Sequence, residues 1–111
     1  MHEYRVLRVD KIVDGDTVDV TLDLGFYISL KQRIRILGIN ASELKDKDPA
    51  EKELALKAKQ FAEEWFQQPG TLMVKTTKDD KYGRMLGDFW FQGQEESFGE
   101  TALKANIVRT Y

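Results

Sequence analysis

The chain has 111 residues and no cysteine, which fits one domain and excludes both a disulfide framework and a thiolate metal site. A net charge of −2 argues against tight, non-specific duplex binding, but suits an enzyme that needs only a local basic site beside a cation. The apolar stretches are too short to span a bilayer, and Met1-His2-Glu3-Tyr4-Arg5 lacks the basic and apolar run of a signal peptide, so a cytoplasmic monomer is expected.

Residues 4–13 are rich in β-branched side chains and predict a strand. Asp14-Gly15-Asp16 is a turn signal. Residues 17–24 alternate strictly, with Val18, Val20, Leu22 and Leu24 on one face and Thr17, Asp19, Thr21 and Asp23 on the other. That period of two is a half-buried strand, and Gly25 ends it as a hairpin. The alternation resumes with Ile28, Leu30, Ile34 and Ile36 on the apolar face and Lys31, Arg33 and Arg35 on the polar one. Three closely linked strands predict a meander. Residues 40–48 read as a polar loop.

Asp48-Pro49-Ala50-Glu51 is a helix start, with an aspartate to cap and a proline at the first helical position. Leu54, Ala58, Phe61, Ala62 and Trp65 follow at helical spacing, and Pro69-Gly70 stops the helix. Residues 71–77 and 85–91 predict two further strands around the polar segment 78–84. Ser97-x-x-Glu100 is a capping box for a short helix, with Asn106 as a left-handed stop. Three strands, a helix, two strands and a helix predict an α+β fold built on a five-stranded OB-type barrel, with an open α+β sheet as the alternative.

Four polar clusters carry chemistry. Asp14-Gly15-Asp16-Thr17 offers carboxylates on a tight turn, suited to a hard cation such as calcium, although Asp and Gly also simply make turns. Arg33 and Arg35 lie two apart on one strand; arginine grips phosphate with two parallel hydrogen bonds, and Arg33 is better explained by pairing with Asp19 or Asp23 across the hairpin. Asn40 and Glu43 in Gly38-Ile39-Asn40-Ala41-Ser42-Glu43 offer oxygens to a cation, and Glu43 can handle a water. Asp79-Asp80-Lys81-Tyr82-Gly83-Arg84 brings cations and an aromatic around a glycine, and Arg84 can stabilise charge on a phosphate. His2, the single histidine, has no assigned role, so a histidine-based triad or zinc site is not expected. Phe61, Trp65 and Phe66 read as core rather than as a stacking platform. Together the four clusters contain what phosphodiester hydrolysis requires.

The chain resembles the staphylococcal nuclease family. The resemblance rests on Val13-Asp14-Gly15-Asp16-Thr17-Val18, on residues 33–43, on Asp80-Lys81-Tyr82-Gly83-Arg84 and on the short helix after Ser97. It implies an OB-type barrel that hydrolyses DNA and RNA, typically with Ca²⁺. It further implies Asp16, Asn40 and the Ala41 carbonyl as calcium ligands, Arg35, Glu43 and Arg84 as catalytic residues, and Lys81 and Tyr82 as contacts to a nucleotide phosphate. On that reading Arg35→Ala and Arg84→Ala each abolish cleavage with the fold intact.

Two departures bear on this reading. Asn40 stands where the family carries a second calcium-ligand aspartate, and fewer ligand charges weaken calcium binding. Ser42 replaces a proline, which loosens the loop. The sequence also ends at Tyr111 without a clear counterpart of the family's later nucleotide-contacting tyrosines. The competing reading is an OB-type module that has lost catalysis and binds nucleic acid or protein.

Overall fold

A computed structural model describes residues 2–41, 48–77 and 85–110. In chain order the elements are β1 (His2–Asp14), β2 (Thr17–Asp23), β3 (Ser29–Ile36), β4 (Ile39–Asn40), α1 (Pro49–Phe66), β5 (Leu72–Thr77), β6 (Met85–Phe91), α2 (Phe98–Lys104) and β7 (Arg109–Thr110). The five longer strands close into a barrel in the order β1-β2-β3-β6-β5, and β5 returns to β1. The first three strands form the expected antiparallel meander, while β3 meets β6 in parallel over residues 34–36. This is the five-stranded barrel with helices that the sequence predicts.

Irregularities in β1 make the closure possible. Its register against β2 shifts between Val6 and Arg8, Val9 and Lys11, and Ile12 and Asp14. Such bulges bend a strand and raise its twist. The bent β1 pairs with β2 along its length, and its start, from His2 to Arg5, also pairs with β5. Val18, Val20, Ile34, Ile36, Val74 and Phe89 fill the interior and are wholly buried.

The α1 helix begins as its sequence dictates. The Asp48 carboxylate accepts the Ala50 N–H at 3.0 Å, and Pro49 takes the first turn. Its buried face is Ala55, Ala58, Ala62, Trp65 and Phe66. Leu54, expected inward, is exposed, and Ala55 takes its place. Small residues let the helix approach the β1–β2 turn closely. A Cβ on Gly15 would lie 2.6 Å from the Ala58 Cβ and 2.9 Å from the Ala41 Cβ, so glycine is the residue that fits between them. At the far end Trp65 and Phe66 join Phe89, Phe91 and Phe98, with edge-on contacts at 5.2 Å between Trp65 and Phe98 and between Phe66 and Phe89. These rings are core, as their spacing indicates. Ser97 and Glu100 form the reciprocal capping box of α2, and Asn106 follows in a left-handed conformation at φ 57°.

Two further features differ from the sequence reading. Residues 39–40 and 109–110 form a separate two-stranded sheet, with Asn40 opposite Arg109. Strands of two residues carry no periodicity, so they leave no signal. Leu24, Ile28 and Leu30, placed on the apolar inner face by alternation, are exposed. The reason is topological. Since β3 joins β6 only from Ile34 onward, the β2–β3 hairpin runs past the barrel wall and nothing from β6 covers its outer half. At the hairpin tip Gly25, Phe26 and Tyr27 all have positive φ, at 83°, 52° and 63°. Each of the two aromatics in that conformation costs about 1–2 kcal/mol.

No helix among the described residues is long and apolar enough to cross a membrane.

Candidate functional site

Asp16 and Arg35 are brought together by the β2–β3 ladder and the segment after it. Thr17 pairs with Arg35, and the Ile36 N–H donates to the Asp16 carbonyl at 2.8 Å. Ile34 and Ile36 point into the barrel, so the pleat sends Arg35 to the other face. The alternation marks that face as polar. Here the segment 39–41 covers it, and Arg35 is only 5% exposed.

Among the described residues the buried guanidinium is held at four points. Nη1 donates to the carbonyls of Ile36 and Ile39, both at 2.9 Å. Nη2 donates to Asn40 Oδ1 at 3.1 Å and lies 3.4 Å from Asp16 Oδ2. Asp16 is buried as well. Its Oδ2 accepts the Ala41 N–H at 2.9 Å and its Oδ1 accepts the Thr17 hydroxyl at 3.0 Å. A buried carboxylate needs such partners, since an uncompensated one is strongly disfavoured. Asp16, Arg35, Asn40 and Ala41 therefore form one hydrogen-bonded cluster. Arg33, by contrast, forms a two-pronged pair with Asp19 at 2.7 and 3.1 Å, the cross-strand pairing expected for it.

Asp14 adds a second carboxylate. Its Oδ1 faces the Asp16 N–H at 3.5 Å. Burial, and then the neighbouring Asp16 carboxylate, push its pKa up to about 6. The folded state then holds a proton that the unfolded chain has already released between roughly pH 4 and pH 6, so stability falls as pH rises through that window. In the presence of EDTA, Asp14→Asn is expected to remove this fall and to raise the melting temperature at pH 7. Thermal denaturation from pH 4 to pH 7 checks it, and parallel curves for the two proteins would contradict it.

Glu43, Lys81, Tyr82 and Arg84 lie outside the described residues, as does Ser42. One further cation stands beside the cluster. Arg109 is the cross-strand partner of Asn40 and forms an ion pair with Glu51 at 3.3 Å. Only the pairing of β4 with β7 brings it there, and no motif marks it.

Among the described residues there is no group of three or more His, Cys, Asp or Glu side chains that could hold a metal ion. The oxygen donors that are present nonetheless suit a hard cation: two carboxylates, the Asn40 amide oxygen and the Ala41 carbonyl. Asn40 Oδ1 accepts the Arg35 Nη2–H and has a second lone pair, whereas Asp16 Oδ2 accepts the Ala41 N–H and also faces the Arg35 guanidinium at 3.4 Å. The crowding of Asp14 against Asp16 is the kind of repulsion that a cation relieves.

An uncharacterized protein of Methanocaldococcus jannaschii is 31% identical over 131 aligned residues, covering 99% of this chain and 61% of the relative. The chain thus spans about three fifths of that protein's length. The model of the family described as staphylococcal nuclease homologue matches residues 33–111, a span that takes in Arg35, Asn40, Ala41, Glu43, Lys81, Tyr82 and Arg84. Asp14 and Asp16 precede it, and the β2–β3 pairing joins them to it. With its closed barrel, its buried Asp16–Arg35 pair and this match, the chain belongs to the staphylococcal nuclease homologue family.

Proposed function

We propose that the chain is a metal-dependent nuclease that hydrolyses phosphodiester bonds in DNA or RNA. The observation that carries this is the buried cluster in which Arg35 is fixed beside Asp16 and Asn40. A guanidinium held in advance can meet charge developing on a phosphate without reorganising first.

In this reading water attacks phosphorus in line with the leaving oxygen. Glu43 orients the water and takes its proton. Arg35 and Arg84 stabilise the added charge on the phosphate oxygens, and Lys81 and Tyr82 bind a neighbouring phosphate. Asp16, Asn40 and the Ala41 carbonyl would hold Ca²⁺, with Asp14 beside them. When bound, the ion supplies positive charge to a phosphate oxygen. The roles of Glu43, Lys81, Tyr82 and Arg84 rest on family membership and on sequence position.

Asn40 supplies an amide where a carboxylate would add charge, so this reading includes a weakened cation site. Cleavage of single-stranded DNA and RNA is expected only at high calcium and not in EDTA. Asn40→Asp is expected to reach the same rate at about tenfold less calcium, the equivalent of roughly 1.4 kcal/mol in binding. Absence of cleavage by both forms at every calcium level would instead support a non-catalytic OB-type binding module. The hydrogen bonds that engage Arg35 Nη1 with two carbonyls favour that second reading.

A further inference from the structure

The β2–β3 hairpin tip is a construction that stability alone does not explain. The Ile28 N–H donates to the Gly25 carbonyl at 2.9 Å, closing a two-residue turn with Phe26 and Tyr27 at its centre. Both central residues have positive φ, which is the geometry that Asn-Gly supplies without strain. Two bulky aromatics occupy it instead. Phe26 is 95% exposed, and Tyr27 is wholly exposed. Strain of this kind collects at sites that bind ligands.

The stem of the hairpin, at Leu24 and Leu30, borders a groove. A cavity of about 330 Å³ at its base is lined by Tyr4, Leu24, Leu30 and Met85, with His2 and Gln32 among them. Apolar walls with a few polar groups suit a flat ring that carries polar edges. The strand that forms one wall also carries Arg35, on the face opposite Leu30 and Gln32. From Ile28 to Arg35 it spans about 23 Å, at about 3.3 Å per residue.

We propose that Phe26, Tyr27 and this groove form a base-stacking subsite for single-stranded nucleic acid, separate from the cluster around Arg35. The inference rests on the reading that the barrel acts on nucleic acid, and it names the substrate class as single-stranded. Aromatic platforms bind unpaired bases through their π-faces, which a duplex keeps covered. The net charge of −2 agrees with a grip that relies on stacking more than on phosphate neutralisation.

The double variant Phe26→Asn, Tyr27→Gly tests this without endangering the fold, because it installs the unstrained turn. It is expected to melt at a higher temperature than the parent. Binding is measured by fluorescence anisotropy in EDTA, where cleavage does not interfere. The probes are a single-stranded oligonucleotide of about 12 nucleotides, within the site sizes of OB-type barrels, and one of about 3 nucleotides. The longer probe should bind the double variant about tenfold or more weakly, at low and at high salt alike, since stacking of one base supplies that much. The shorter probe should not distinguish the two proteins.

Equal binding of the longer probe by both proteins would overturn the proposal. So would an unchanged affinity for it combined with loss of self-association in sedimentation, or of binding to phosphatidylserine vesicles. Those results would assign the tip to a second copy of the chain or to a lipid surface. The nuclease reading fails separately, if the wild-type protein binds the longer probe yet never cleaves it in calcium.

Discussion

Arg35→Lys is expected to lower the cleavage rate about 10²–10³-fold while the protein remains folded. Lysine keeps the positive charge but not the planar fork. The Arg35 guanidinium reaches the Ile36 and Ile39 carbonyls and Asn40 Oδ1 together, and it sits 3.4 Å from Asp16 Oδ2. One ammonium group cannot reproduce that set. The check is kcat/KM at saturating calcium beside a melting curve, and full activity in the lysine variant would remove Arg35 from the proposed chemistry.

Arg35→Ala is a poorer probe than its position on a strand's polar face implies. With Arg35 buried, alanine would strip the cation from the buried Asp16 carboxylate and leave two carbonyls short of a donor. Breaking a buried pair in this way costs about 3–5 kcal/mol. The expectation that alanine leaves the fold intact is therefore revised, and lost activity in that variant would mix two causes.

The second large effect is expected at Asp16. Asp16→Ala leaves the Ala41 N–H without its acceptor and removes a carboxylate from beside the buried Arg35. Denaturant unfolding should report a loss of about 3–5 kcal/mol, a large part of the stability of a domain this size. Asp16→Asn keeps an oxygen for Ala41 and should lose less. It removes the negative charge, so it should also abolish the rise in melting temperature that calcium produces in the parent protein. A ligand that binds only the folded state stabilises it by mass action, which makes this a readout independent of catalysis. An equal calcium-induced rise in both proteins would exclude Asp16 as a ligand.

Much of the fold was legible because local signals agreed with one another. Strict alternation over 17–24 reports a strand with one buried face, and Val18, Val20 and Leu22 are buried, although Leu24 is not. Asp48-Pro49 and Ser97-x-x-Glu100 report helix starts because a side chain there can satisfy backbone N–H groups that the helix cannot. The pairing of Arg33 with Asp19 follows once the hairpin register is known.

Of the site, the chain by itself determined which donors are available: Asp14, Asp16, Arg35, Asn40 and the Ala41 backbone, set in motifs that resemble one nuclease family. It also determined the strands and caps that carry them. Tertiary structure alone decided that Arg35 is buried and bound to Asp16, because the segment 39–41 folds over a strand face that alternation marks as polar. It alone set Arg109 opposite Asn40, and it alone left Leu24, Ile28 and Leu30 outside the barrel. The physical reason is the same in each case. Periodicity reports which way a side chain points from its own strand, whereas burial depends on what distant parts of the chain pack against that face.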